Sequence, residues 1–169
     1  MLNPSLNPGD SVLDKIYLFL REIGLNVVET ILDVPTFMPG ILIDAGTVKV
    51  DPTKLLYPGD VLHEAGHVAV TLPEERAFLH NNITHERPDK QGDEIAVLLW
   101  TFAACRHIGL PYEVVFHPDG YKGDSQWLID TFSKQEYIGL PLLVWMGMTQ
   151  ADTFPTMTHW LRPALHVDD

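Results

Sequence analysis

A single cysteine, Cys105, stands among 169 residues. One thiol cannot close an intrachain disulfide, and it cannot build a cysteine-rich zinc site. Cationic side chains are scarce too: 11 Lys and Arg against 23 Asp and Glu leave a formal net charge of −12. Phosphate backbones are gripped by clustered Lys and Arg, so this balance argues against nucleic-acid binding and against an anionic membrane surface. No apolar run approaches the roughly 18 residues of a membrane-spanning helix. No phosphate-binding loop of the G-x-x-x-x-G-K-[ST] type occurs. The opening Met1-Leu2-Asn3-Pro4 lacks the charged start and apolar stretch of a secretory signal, so the expected location is the cytoplasm. What remains is an ordinary globular composition, 46% hydrophobic and 20% charged. Its length suits one domain over 1–169 with a core of its own.

Against this plain background, residues 63–67 read His-Glu-Ala-Gly-His. The pattern is H-E-x-x-H, in which two histidines four apart share one face of a helix, about 6 Å apart along its axis. Both imidazoles can then reach one Zn²⁺ with bonds of roughly 2.0–2.1 Å. The intervening glutamate points about 100° around the helix from the first histidine. There it can take a proton from a water at the metal instead of binding the metal. The expectation is that His63 and His67 are zinc ligands and Glu64 is the general base of a hydrolase. Val61, Leu62, Ala65, Gly66, Val68, Ala69 and Val70 surround the three polar residues, which implies a helix buried on most sides. Burying two histidines and a glutamate is costly unless something binds them. The bland alternative is a buried helix whose histidines bond to neighbouring backbone.

Along the rest of the chain, Val12, Leu13, Ile16, Leu20 and Ile23 at helical spacing predict a helix over 10–23. Asp10 or Ser11 is available as its N-cap and Gly24 as its stop. Leu25 to Leu32 reads as a strand, and Ile41–Asp44 and Thr47–Asp51 as two short strands joined at Ala45-Gly46. Pro58 suits the first turn of the motif helix, which ends before Pro73. Residues 73–92 read as a long polar loop of the kind more often functional than idle. A central core helix follows over Asp93–His107, then a strand at Glu113–Phe116 and a turn at Pro118-Asp119-Gly120. Another helix is expected over Asp124–Tyr137. Ile-Gly-Leu-Pro occurs at 108–111 and again at 138–141, read as one helix-stop signal used twice. The apolar residues 138–148 are either core packing or a dimer face. Phe154, Trp160 and Leu161 suggest that the tail docks. Cys105 and His107 read as a core cysteine and a helix-terminal histidine, not as metal ligands.

A catalytic zinc site usually has three protein ligands and one open position. The metzincin continuation would need Gly and His where this chain has Val70 and Pro73, so that class is excluded. In gluzincin-type sites the third ligand is a glutamate on a later helix, and Glu94, opening the 93–107 helix, suits that role. Asp93, His80, His85, Asp124 and Asp130 stay open as alternatives.

The order helix, strand, two short strands, motif helix and a helix opening on Glu resembles the ImmA/IrrE-type metallopeptidases. Val48-Lys49-Val50-Asp51 stands for the strand before the motif helix, and Asp93-Glu94-Ile95-Ala96 for the helix supplying the third ligand. The resemblance spans roughly 10–111, leaving 112–169 as a C-terminal helical part, and it lacks that family's DNA-binding helix-turn-helix. His-Glu-Ala-Gly-His also looks like the motif of FtsH-type ATP-dependent proteases, whose ATPase module this chain does not contain.

The resulting expectation is an α+β, zincin-like domain. It has a small three-stranded sheet packed on the buried motif helix and a second core helix, with further helices after them. Its function would be that of a zinc metallopeptidase acting on a peptide or protein, with Zn²⁺ held by His63, His67 and Glu94. Tyr121, Tyr57, His80, His85 and His117 are candidates to stabilise the oxyanion. The strand before the motif helix could take an extended peptide along its edge. Gly66 either opens the helix face to substrate or permits close helix packing. Rival readings are a zinc hydrolase of a small amide or ester, a metal-holding but silent module, and a metal-free interaction protein docking through 138–148.

Overall fold

The computed structural model describes residues 11–81 and 92–165. Among them the protein is α+β, with a three-stranded sheet and six α-helices. In chain order these are α1 (Val12–Glu22), β1 (Val27–Glu29), β2 (Ile41–Asp44), β3 (Thr47–Val50), α2 (Pro58–Ala69), α3 (Pro73–Arg76), α4 (Asp93–Ile108), α5 (Ser125–Ser133) and α6 (Leu140–Trp145). None of these helices is long and apolar enough to cross a membrane.

Local chemistry explains the boundaries. Ser11 caps α1, its side chain accepting from the Asp14 N–H at 3.0 Å. The helix ends where Gly24 turns left-handed, with Leu25 N–H bonded back to the Leu20 carbonyl. β2 and β3 form a hairpin across Ala45 and Gly46, both at positive φ, as a two-residue turn of this hand requires. β1 then adds in parallel to the far side of β3, pairing Val27 with Val48 and Glu29 with Val50. The sheet order is therefore β1-β3-β2. This corrects the expected substrate edge: β3, the strand before the motif helix, is central and bonded on both sides. The edges belong to β1 and β2, and part of the β2 edge is covered by the chain itself. Asn81 N–H bonds to the Ile43 carbonyl at 2.7 Å, and Ile41 N–H to the Met38 carbonyl at 3.1 Å.

α2 lies in the middle of the core. Val61, Leu62, Ala65, Val68 and Ala69 are wholly buried, and α1, β3 and α4 pack around them. α4 carries Val97, Leu99, Trp100, Phe102 and Ala104 into the same core. The two helices meet at Gly66. A Cβ there would lie 2.9 Å from Val97 Cγ1 and 3.0 Å from Trp100 Cε3, so this glycine serves close helix packing, not an open face for substrate.

Four further expectations change. The strand at 113–116 is instead a 3-10 turn at Tyr112–Val114, whose Val114 carbonyl presses on Gly59 at the start of α2. Val115 and Phe116 are buried by that contact and by α5, so their β-prone composition reflects core packing. The helix expected over 124–137 stops at Ser133, because Gln135 adopts φ +65° and Glu136 N–H bonds back to the Thr131 carbonyl. The second Ile-Gly-Leu-Pro opens α6 instead of closing α5: Gly139 is its N-cap at φ +94°, with the Ile95 carbonyl 3.0 Å from any added Cβ. The polar stretch at 73–92 begins with the short helix α3, and 82–91 lie outside the described residues.

The tail docks. Trp160 packs edge-on against Phe19 and Trp100, and its carbonyl accepts the Trp100 indole N–H at 3.0 Å. Phe154 is buried against Tyr137. In the 138–148 segment Leu143, Met146 and Met148 turn inward, while Val144 and Trp145 face out.

Candidate metal centre

α2 is apolar except for one stripe. Asp60, His63, Glu64 and His67 fall at three- and four-residue spacing and so share a face. The opposing wall comes from the first turn of α4. Glu94 precedes Val97 by three residues, so it sits on the side of α4 that meets Gly66, directly across from the two histidines.

The three side chains converge. Glu94 Oε1 lies 3.1 Å from His63 Nε2, and Glu94 Oε2 lies 2.8 Å from His67 Nε2. One donor atom from each of the three falls within 4.8 Å of the others. A tetrahedral ion with bonds of about 2.0–2.1 Å holds its ligand atoms roughly 3.3 Å apart, so the donors stand near the required spacing. Two imidazole nitrogens and a carboxylate oxygen are also the donor set that suits zinc. Both nitrogens facing Glu94 are Nε2, which leaves each Nδ1 on the outer side of its ring.

Of the other candidate ligands, His80 sits at the β2 edge, 3.5 Å from Asp44. Asp124 stands at the N-terminal end of α5, and Asp130 accepts from Gln126 on that helix. Asp93 is the neighbour of Glu94, but the converging donors among the described residues are His63, His67 and Glu94. His85 lies outside the described residues. Cys105 is fully buried, and burial pushes its thiol up to about 12, so it is an inert core residue. His107 packs its ring on Phe19 and Trp160.

The centre opens on a cleft of about 690 Å³. Phe37, Met38 and Leu56 make an apolar wall, and His117, Asp119 and Tyr121 line another part. Burial raises the Glu64 carboxyl above the usual carboxylate range, although the nearby His67 and His63 pull the other way. Burial would also raise Glu94, but hydrogen bonds from both imidazoles win and hold it well below that range. For His63 burial opposes the charged form, and the Glu94 carboxylate outweighs it, so its pKa rises. The two carboxyls thus line one cleft with opposite tendencies. The imidazoles hold Glu94 low, and burial shifts Glu64 upward.

Two features of the site were not visible in the sequence reading. Asp60 is buried and bonds His117 Nε2 at 2.8 Å, with the Tyr57 ring stacked on that imidazole at 3.8 Å. A signal did exist, since Asp60 lies three residues before His63 and seven before His67, on the same stripe of an otherwise apolar helix. The second feature is the location of Tyr121. Its hydroxyl is 3.4 Å from His63 Nδ1, the nitrogen that does not face Glu94. Burial, reinforced by the charges of Asp60 and Glu94, raises its pKa and keeps it a neutral phenol. Tyr121, His117 and Tyr57 all line the cleft, and His80 stands apart from it. No family model, no curated protein and no solved structure matches this chain.

Proposed function

We propose that this protein is a zinc-dependent hydrolase of the zincin-like type, most directly a metallopeptidase, with Zn²⁺ held by His63, His67 and Glu94. The observation that carries this reading is the convergence of those three donors from two helices, with Glu64 beside them on the wall of one cleft. When bound, the ion would supply a Lewis acid for the scissile carbonyl and lower the pKa of a coordinated water. The remaining chemistry belongs to the chain. Glu64, buried and poised toward protonation, takes a proton from the attacking water and delivers it to the leaving nitrogen. Glu94 would stay ionised and bind the ion beside the Nε2 atoms of His63 and His67, which it already faces. The apolar wall at Phe37, Met38 and Leu56 offers a seat for substrate beside the metal position.

The open cleft favours a catalytic site over a purely structural one, whose four positions would all be filled by protein. Its volume is within the range of about 300–1,000 Å³ that accommodates a small ligand or a few residues of peptide. Metal analysis of wild type, His63→Ala and Glu94→Ala, each purified without a metal-binding tag, tests the centre. One zinc per chain in wild type, lost from both variants, is expected. Glu64→Gln is expected to keep the zinc and lose peptide hydrolysis by a factor of at least about 100. A wild-type protein that takes up no metal when zinc is supplied would overturn the proposal.

A further inference from the structure

We infer that Tyr121 is a positioning residue for the metal centre: from behind His63 its phenol oxygen receives the Nδ1 proton and holds the ring with Nε2 toward the metal position. The inference rests on the reading of His63 as a ligand. An imidazole that gives the lone pair of one nitrogen to a metal carries its proton on the other, and a hydrogen-bond partner there fixes both tautomer and ring angle. Here the inner nitrogen faces Glu94 at 3.1 Å, and the outer one faces the Tyr121 hydroxyl at 3.4 Å. The tyrosine ring also stands edge-on to the imidazole, with centroids 5.8 Å apart, limiting its tilt.

The backbone supports this placement in two ways. First, residues 117–121 run as a strap along one face of the motif helix. His117 bonds Asp60, Asp119 bonds the Tyr57 hydroxyl and Tyr121 approaches His63, so three residues of the strap are each tied to a residue at or near the start of the motif helix. Asp60 and His63, three apart, are neighbours on the helix surface, and Tyr57 is the residue that precedes its first turn. Gly120 makes the strap fit, since a Cβ there would come within 3.0 Å of His117 Cε1. Second, the strap ends in three successive left-handed residues: Tyr121 at φ +57°, Lys122 at φ +53° and Gly123 at φ +86°. Tyrosine and lysine adopt this region only when the surroundings impose it, and such strain gathers where a side chain must be aimed.

The phenyl ring of Tyr121 also packs on Phe116, so the test must separate the hydroxyl from the ring. Tyr121→Phe keeps both ring contacts and deletes the oxygen. Zinc affinity of the full chain would be measured by competition with a chromophoric chelator, alongside the melting midpoint of the metal-free protein. The solvent exchange of the His63 Nδ1 proton would be followed by NMR in the zinc-loaded form. The expected result is binding about 10-fold weaker, an unchanged metal-free midpoint and a faster-exchanging Nδ1 proton. Wild-type affinity in the variant would overturn the inference while leaving the metal centre intact. Weaker binding with a lowered midpoint and unchanged exchange would make Tyr121 a packing residue and overturn it equally. Failure of the wild-type chain to bind zinc would remove the metal reading itself, and the inference with it.

Discussion

The chemistry of this protein is concentrated in a few side chains whose surroundings are apolar, and that contrast is what makes each one interpretable. Glu64 and Glu94 are the same residue type and both are near His63 and His67. They differ in whether imidazoles bond to them, and their proton affinities move in opposite directions. Asp51 shows the same principle away from the centre. Its buried carboxylate accepts from the Thr53 hydroxyl at 2.6 Å, the Leu32 N–H at 3.0 Å and the Thr53 N–H at 3.0 Å, tying the loop after β1 to the end of β3. These bonds, the Thr53 hydroxyl foremost, hold its carboxyl below the unfolded value of 3.8. A depressed folded pKa contributes stability above the unfolded value, and that contribution is lost as pH falls through the folded one. Asp51→Asn should therefore be less stable than wild type at pH 7, with the gap closing below about pH 4. Denaturant midpoints measured from pH 7 to pH 2.5 would show this; a gap independent of pH would contradict it.

Among the elements, glycines set the distances that the proposed metal centre depends on. Gly66 lets α2 and α4 approach until Glu94 stands opposite the histidines, and Gly59 lets the Val114 carbonyl sit against the start of α2. Gly66→Ala gains some helix propensity but drives a methyl into Val97 and Trp100. Overpacking of this kind costs about 1–3 kcal/mol against a propensity gain near 1. The expected outcome is a modest loss of stability, on the order of 1 kcal/mol, with zinc binding weakened about 10-fold as Glu94 is pushed away. Calorimetry paired with chelator competition would separate the two effects; full zinc affinity in Gly66→Ala would show that the helix spacing does not control the centre. Much of this level was legible in advance. The amphipathic spacing of α1, Pro58 at the start of α2 and the Ala45-Gly46 hairpin all act through neighbours in sequence. Where the reading failed, a long-range contact had intervened. Gly139 is required by the carbonyl of Ile95, a residue of another helix, and Val115 and Phe116 are buried against Gly59 and α5 instead of pairing as a strand.

At the level of the whole molecule, the C-terminal segment closes the end of the motif helix α2. The Arg162 N–H bonds to the Ala69 carbonyl at 2.8 Å, and its guanidinium to the Val70 carbonyl at 3.2 Å, placing a buried cation at the negative end of α2. That guanidinium lies over the Trp145 ring, 5.1 Å from its centroid, while Arg76 bonds the Arg162 carbonyl at 2.6 Å. Residues about 90 positions apart in sequence thus cap a helix together. Arg162→Ala removes a charge-assisted hydrogen bond and the favourable dipole contact, about 2 kcal/mol together. In a chain of this size that corresponds to a fall of roughly 5 °C in the melting midpoint. Thermal unfolding of the metal-free protein is the measurement, and an unchanged midpoint would show that the tail is held by Trp160 packing alone.

What the sequence by itself determined is whatever a helix or a turn can encode locally. Two histidines four apart must share a face, a glutamate between them must stand aside, and a buried helix bearing such a stripe must have a polar partner. What only the tertiary structure decided is which partner, and from where. Glu94 meets the histidines because two glycine-permitted helices pack at one height. Asp60 meets His117, and Tyr121 stands behind His63, because a strap from beyond α4 folds back along the motif helix. β3 is central because β1 crosses to its far side, and no pattern within β3 records that pairing. Local spacing fixes the direction of a side chain; its partner is set by the packing of the whole core.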